Sequence, residues 1–395
     1  MSHPAFASDL GPSSWKSVVD RVEPLDVAVD GLDTRLIERL ECERDRVVQS
    51  PIHFYTPTFK AFQTSELSSC GKSAWPAISI TGGDCKLQCD HCKAKVLEPM
   101  IPARTPEQLW RVVNEIVAEG GQGMLLTGGS NHRNEVEYGP FYPTVRRIKD
   151  TYPEFRIAIH TALVDRDGAQ AMAEAGIDAA MMDVIGAQDT ITQVYHLRRS
   201  VDDFEATLEA LVAADIKVVP HIVIGLHYGR LLGEWNALEI LARHRPDAVV
   251  LVVVMPFYAP RTRPFVTPSP EVVGEFFMDA RRALPGLPLL LGCARPAGTA
   301  KSRIDTYAVM AGLDGIAHPA DGAVELAARL GRGVRVTPAC CSIVVGDEVL
   351  ALDERLPGLE LDLDEILRQE RARRVPAARG RLAQIPIVTA GGHGG

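Results

Sequence analysis

No stretch of about 18 uncharged apolar residues occurs in this 395-residue chain, so no helix able to cross a bilayer is expected. The longest strand-like apolar run, Ala248 to Tyr258, is too short for that. The first residues, MSHPAFASDL, lack a basic region followed by an apolar run, so a secretory signal is not expected and the location read from the sequence is cytoplasmic. Positive charge is not in excess. The 42 Lys and Arg are outnumbered by 51 Asp and Glu, and the net charge of −9 argues against broad binding to nucleic acid or to an anionic membrane. What is present is ordinary for a globular chain, 46% hydrophobic and 24% charged residues. One barrel of about 250 residues with extensions accounts for the length.

Residues 1–50 read as an irregular lead-in and a charged helix, Leu32–Val48, and residues 51–76 as a loop packed on the main domain. A regular alternation follows. Strands are expected at Ala77–Thr81, Gly123–Thr127, Arg156–Thr161, Asp178–Val184, Lys217–Gly225, Ala248–Met255, Pro288–Gly292 and Gly315–Ala317. The helices between and after them are Thr105–Glu119, Phe141–Asp150, Val164–Ala175, Val201–Ala214, Leu231–His244, Pro270–Leu284, Ile304–Ala311 and Gly322–Gly331. Thr105 reads as an N-cap with Pro106 at the first helical position. Eight strand–helix units with near-continuous apolar strands point to the α/β class and a parallel TIM-type (β/α)8 barrel, closed or nearly so. An open doubly wound sheet is the alternative, and evenly sized units favour closure. The expected organisation is an N-terminal extension and loop (1–75), a barrel (76–335), a C-terminal extension (336–374) and a mobile tail (375–395). The C-terminal extension reads as a short hairpin over Thr337–Leu352 and a charged helix, Leu361–Arg374.

Eight cysteines are present: Cys42, Cys70, Cys85, Cys89, Cys92, Cys293, Cys340 and Cys341. In a long chain read as cytosolic, such thiols are more often metal ligands or catalytic groups than disulfides. Cys42, in a charged helical stretch, is read as an inert buried thiol. Directly after the first strand stands Thr81-Gly-Gly-Asp-Cys85-Lys-Leu-Gln-Cys89-Asp-His-Cys92, a C-x3-C-x2-C spacing. Three close thiolates can wrap three corners of an iron–sulfur cubane and leave the fourth iron open to a small chelating molecule. A tetrahedral zinc site is the competing reading, but it usually shows a second paired half, which this motif lacks.

This triad at the end of strand one resembles the signature of the radical S-adenosylmethionine (SAM) superfamily. The resemblance implies a [4Fe–4S] cluster on Cys85, Cys89 and Cys92, with SAM chelating the open iron through its amine and carboxylate. Thr127-Gly128-Gly129-Ser130, after strand two, is similar to that family's Gly-Gly-Glu-type motif, whose backbone receives the methionine amino group. Ser130 stands where an acidic residue is often found. Ile222-Val-Ile-Gly225 resembles the segment beside the adenine. Arg198 or Arg199, in Tyr195-His-Leu-Arg-Arg199, is a candidate for the SAM carboxylate. Polar strand-end residues His160, Thr161, Asp183, His221, His227 and His318 are candidates for lining the cavity, with hydrogen-bonded barrel groups as the alternative. His160 is included among the cofactor-binding candidates.

Cys293 follows strand seven, Cys340 and Cys341 follow the last barrel helix, and Cys70 precedes strand one. Loops after barrel strands converge on one mouth, so these four are candidates for an auxiliary [4Fe–4S] cluster. Trp75-Pro-Ala-Ile-Ser-Ile-Thr-Gly82, Cys89-Asp-His-Cys92, Leu97-Glu-Pro-Met100 and Leu126-Thr-Gly-Gly-Ser130 resemble the two-subunit lipoyl synthase family over residues 52–345. The C-x4-C-x5-C of single-chain lipoyl synthases is not found. The resemblance implies sulfur insertion into an unactivated C–H bond of a protein-bound octanoyl chain, with the auxiliary cluster as sulfur donor. It also implies three partners: an octanoylated lipoyl-carrier protein or domain, a second radical SAM subunit, and an electron donor such as ferredoxin or flavodoxin. Two other readings stay open. One is a small-molecule rearrangement or maturation enzyme of the biotin-synthase-like barrel type, and the other a non-catalytic cluster-based sensor.

Overall fold

The eight expected strands form in the computed structural model, which describes residues 14–22, 31–57, 64–67, 74–255 and 262–343. They are β2 (Ala77–Ser79), β4 (Gly123–Thr127), β5 (Arg156–His160), β6 (Ala179–Met181), β7 and β8 (Lys217–Val218 and His221–Ile224), β9 (Val249–Val253), β10 (Leu289–Leu291) and β11 (Gly315–Ala317). All pair in parallel with their sequence neighbours. Expected strand five divides because Pro220 has no N–H to donate. Its first half pairs with β6 and its second with β9, and His221 N–H bonds Met182 O at 2.7 Å across the break. The wall is therefore continuous through strand five.

The other side of the barrel differs from the expectation. Strand eight does not pair directly with strand one. Residues read as a loop form β1 (Ile52–Tyr55), which pairs with β11 on one edge and with β12 (Val334–Thr337) on the other. At the opposite end of the wall β3 (Ile101–Pro102) flanks β2. Among the described residues no ladder joins β2 or β3 to β1 or β12. The four residues of β1 are all buried, so an apolar run too short to stand out among prolines and polar residues becomes a central strand through its partners.

Local signals set the helix boundaries. The Thr105 side chain caps Pro106–Ala118, and Ser200 with Asp203 forms a reciprocal capping box at Val201–Ala213. The expected helix Leu32–Val48 is two pieces, Thr34–Glu41 and Arg44–Gln49. Cys42 sits at their junction, exposed, its thiol donating to Glu38 O, so it is not a buried thiol. The expected hairpin over Thr337–Leu352 is replaced, in its described part, by turns that enter the barrel. Ala339, Cys341 and Ile343 pack in the lumen against Ala158, Ala179, Ala248 and Val250, and Lys217 Nζ donates to Ile343 O. The expected helix Leu361–Arg374 and tail 375–395 lie outside the described residues. No helix among the described residues is long and apolar enough to cross a membrane.

One fully buried ion pair ties the last two barrel strands together. Arg295 forks onto Asp305 at 2.6 and 2.9 Å, and its remaining donors reach Gly292 O, Ala317 O and His318 O. Asp305 also accepts from Ala320 N–H. Removing one partner of such a pair strands a charge in low dielectric. Asp305→Ala is expected to lower stability by about 3–5 kcal/mol, read as a shift of the anaerobic denaturation midpoint. A loss under about 1 kcal/mol would contradict this account.

Candidate active site

The three motif thiols lie on the turns between β2 and Ala94. The path is tight: Gln88, Lys93 and Ala94 all have positive φ, a region that side chains normally avoid. Cys92 N–H and Lys93 N–H both bond Cys89 O. A second loop locks onto this turn. Gly129 N–H donates to Thr81 Oγ1 at 2.7 Å, and Lys86 N–H to Ser130 O at 2.8 Å. A Cβ on Gly129 would stand 1.9 Å from Asp84 O and 2.6 Å from Cys85 Cα, so only glycine fits. Ser130 Oγ is taken by Asn134, and its carbonyl by the Lys86 amide. That leaves the Gly128–Gly129 backbone beside the thiols for a ligand.

All three thiols open onto a cavity of about 400 Å³ at the C-terminal end of the barrel strands. The hydrogen bond from Cys89 draws Cys92 down, with the charge of half-buried His91 adding to it. The same bond and burial push Cys89 up. Three thiols on one turn, facing one cavity, suit three corners of a [4Fe–4S] cluster. Between them Asp90 is buried and accepts from Lys93 Nζ at 2.6 Å, His196 Nε2 at 3.0 Å and Tyr228 OH at 2.9 Å. It fastens the turn to the loops after β6 and β8.

The cavity wall is mostly apolar, with Leu125, Val223, Val252, Val254 and Met182 among its residues. Four of its polar residues form one cluster. Tyr195 OH donates to Asp183 at 3.1 Å, His160 Nε2 stands 4.0 Å from the same carboxylate, and the His160 and His221 rings are 5.6 Å apart. Tyr195 also packs 5.0 Å from the His91 ring. Burial, opposed by the charge of Asp183, pulls His221 down to about 4. Sequence reasoning did not single out His91 or Tyr195, although both stand inside quoted stretches.

Cys293 and Cys340 also line this cavity, and Cys341 is buried directly behind them in the lumen core. The hydrogen bond from Cys341 brings Cys340 down to about 7, against its burial. Cys341 is pushed up by that bond and by burial, with the charges of Cys340 and Cys293 adding to it. Cys70 lies outside the described residues.

Several candidates land elsewhere. Arg198 is exposed and does not line the cavity, because residues 198–199 form the outward approach to the Ser200 cap. Arg199 is held by Glu135 and Asp203. No Arg or Lys lines the cavity among the described residues. Gly225 turns away with φ 79°, and its N–H is bound by buried Glu234. His227 bonds Thr190, and His318 Nε2 bonds Pro57 O, both as structural groups. Thr161 does line the cavity.

Gly129→Ala is expected to cost most of the iron taken up on anaerobic reconstitution, because the new methyl meets backbone. Gly128→Ala meets side-chain carbons only, of Ile80, Val136 and Thr81, and should keep most of it. Equal iron in the two variants would contradict the close-approach account. A second expectation concerns acid. The unfolded chain binds a proton at His221 near pH 6.5 that the fold refuses until about pH 4. Stability therefore falls as pH drops through that window. His221→Gln should flatten that part of a melting-temperature profile taken from about pH 7 to about pH 4.

Residues 79–231 match the family model of the radical SAM superfamily. No curated protein matches the chain. Among solved structures it is similar to HydG, a maturase of the [FeFe]-hydrogenase, at 13% identity over 87% of this chain and 81% of that one, with a TM-score of 0.55. It is also similar to methylornithine synthase (PylB), at 13% identity over 78% of this chain and 86% of that one, with a TM-score of 0.49. At such identity the likeness to HydG speaks for the fold alone. The family match covers the thiol turn, the Gly128–Gly129 loop and the Asp183–Tyr195 wall, so the chain carries a radical SAM superfamily domain, and that family implies a [4Fe–4S] cluster and SAM.

Proposed function

We propose that this radical SAM enzyme inserts sulfur into an unactivated C–H bond of a carrier-bound octanoyl chain. The observation that carries the reading is a second set of thiols on the cavity that already holds the first: Cys293 and Cys340 on its wall, with Cys341 behind them. These three, with Cys70 as a further candidate, would hold an auxiliary [4Fe–4S] cluster. When bound, the cluster–SAM pair supplies a 5′-deoxyadenosyl radical that removes a hydrogen atom, and the auxiliary cluster supplies sulfide.

The chain's own residues do the rest. Cys85, Cys89 and Cys92 hold three cluster corners, and the Gly128–Gly129 backbone would receive the methionine amine. The valines and Leu125 give an alkyl chain a surface that asks for no hydrogen bond and keeps water from a carbon radical. The hydrogen bond from Cys341 lowers the Cys340 thiol from its usual value, which favours metal ligation. The octanoylated carrier, a second radical SAM subunit and a ferredoxin- or flavodoxin-type donor are the partners this reading calls for. A second reading has one observation in its favour. The His160–Asp183–His221 cluster would suit a small polar substrate undergoing rearrangement or maturation chemistry.

Iron content separates the two. Anaerobic reconstitution is expected to give about eight irons per chain, falling to about four in the Cys293→Ala/Cys340→Ala double variant, which should still cleave SAM under dithionite. Wild-type protein given SAM, an octanoyl-lysine peptide and the partner subunit should yield thiolated peptide. About four irons in the wild type, with 5′-deoxyadenosine formed and no thiolated product, would leave the small-molecule reading standing instead.

A further inference from the structure

A second cavity, of about 420 Å³, lies at the other end of the barrel from the thiols. Ser50, Pro288 and Asp314 line it, and each stands just before a strand, β1, β10 or β11. Its walls also draw on the helices Thr34–Glu41, Arg44–Gln49, Pro270–Ala283 and Thr299–Met310. Leu40, Met278 and Met310 give it an apolar side, and its charged groups are Glu43, Arg46, Arg281, Arg282 and Asp314.

These groups are unequally engaged. Arg281 is fixed. Its Nη1 donates to Leu287 O at 3.0 Å, its Nη2 to Gly312 O at 2.8 Å and to Asp314 at 2.6 Å, while its buried Nε has no partner. Asp314 also accepts from Leu289 N–H, so that carboxylate is already in use. Next to them Arg332, 3% exposed, donates to the carbonyls of Ser50, Pro51, Val309 and Leu313. Burial pulls Arg332 down to about 10; Asp314 opposes this, and the charges of Arg281 and Arg46 add to it. Arg46 and Arg282 are held more loosely. Arg46 reaches exposed Glu43 at 3.5 Å and Ala311 O at 3.4 Å, and Arg282 reaches Asp279 at 3.8 Å. Four guanidinium groups therefore meet two carboxylates at this cavity. Two helix C-termini, at about half a negative charge each, offset part of the surplus and leave the site positive.

We propose that this cavity binds a small organic anion, an apolar body carrying a carboxylate or a phosphate. The apolar body would lie against Leu40, Met278 and Met310, where burial of carbon is favourable. The head would be taken by Arg46 and Arg282, whose planar forks match carboxylate and phosphate oxygens. Arg281 and Arg332 stay on their carbonyls and supply fixed positive charge behind it. An inorganic ion would leave the apolar side wet, and a neutral ligand would leave the surplus charge unanswered. The proposal does not rest on the sulfur-inserting reading, because no Arg or Lys among the described residues lines the cavity at the thiols. A ligand here would join the helices Thr34–Glu41 and Arg44–Gln49 to the barrel and so stabilise the fold by mass action.

The test is calorimetry and thermal melting of the reconstituted holoenzyme, with octanoate and hexyl phosphate as probes and octanol as the neutral control. At least one of the two anions is expected to bind and raise the melting temperature, and the tighter of them identifies the head group. Octanol should bind at least tenfold more weakly. Arg46→Ala/Arg282→Ala is expected to weaken anion binding about tenfold or more, the loss of charge-assisted hydrogen bonds. Its iron content and its melting temperature without ligand should stay near wild type, because both side chains make only long contacts at the surface. Arg282→Glu alone, with a loss of the same kind, serves if the double variant fails to fold. Anion binding unchanged in these variants would place the ligand elsewhere, the thiol cavity included, and would overturn the proposal. So would octanol binding as tightly as octanoate, or no binding of either anion. None of these outcomes bears on SAM cleavage or on thiolated product.

Discussion

The contact on which the site depends is the approach of Gly129 to the Cys85 turn. Two loops leave the ends of adjacent strands, β2 and β4, and meet with no space for a side chain between them. The Thr81 hydroxyl and the Ser130 carbonyl complete the join by binding backbone N–H groups across it. Strain in the turn, with three non-glycine residues at positive φ, is held by these bonds and by Asp90 below. The result is a set of thiols fixed beside bare backbone, the arrangement a cluster and a chelating cofactor need together.

The barrel's interior is shaped by what is missing from it. Small residues at Ala158, Ala179, Ala248 and Ala317 leave the lumen underfilled, whereas barrels of this size normally fill it with branched side chains. Two things occupy the space. Residues 339–343 enter the lower lumen and bring Cys340 and Cys341 with them, while the upper lumen stays open as the cavity. The added strand β1 and its partner β12 are what deliver the chain to that point. Thus the same device that completes the wall also sets the second group of thiols opposite the first, across a surface that excludes water.

Burial decides the protonation of the groups at this cavity as much as charge does. His221 is kept neutral, Tyr195 is held as the phenol, and the Cys89–Cys92 and Cys340–Cys341 pairs each separate into one acidified and one resistant thiol. Asp183, Tyr195, His160 and His221 gather on the cavity wall, whose other residues include Leu125, Val223, Val252 and Val254.

Much of this was legible in the residues. The strand–helix alternation follows from local propensity and capping: Thr105 with Pro106, Ser200 with Asp203, and the unbroken valines of β9 all act within a few positions of themselves. Cys85, Cys89 and Cys92 announce their chemistry because their spacing is short enough to close on one cluster without help from the fold. Other features depend on distant partners. Ile52–Tyr55 is a strand only because β11 and β12 accept it, Pro220 divides a strand only where two neighbours compete for it, and Arg198 faces outward because a capping box sets the turn. The meeting of Cys293 with Cys340, 47 positions apart in number, depends on how much lumen the alanines leave vacant. Composition and spacing determined that this chain would carry a cluster in a parallel α/β barrel. Long-range packing decided which strands complete the wall and which thiols share the cavity, because those outcomes depend on volumes and hydrogen-bond partners contributed from opposite ends of the sequence.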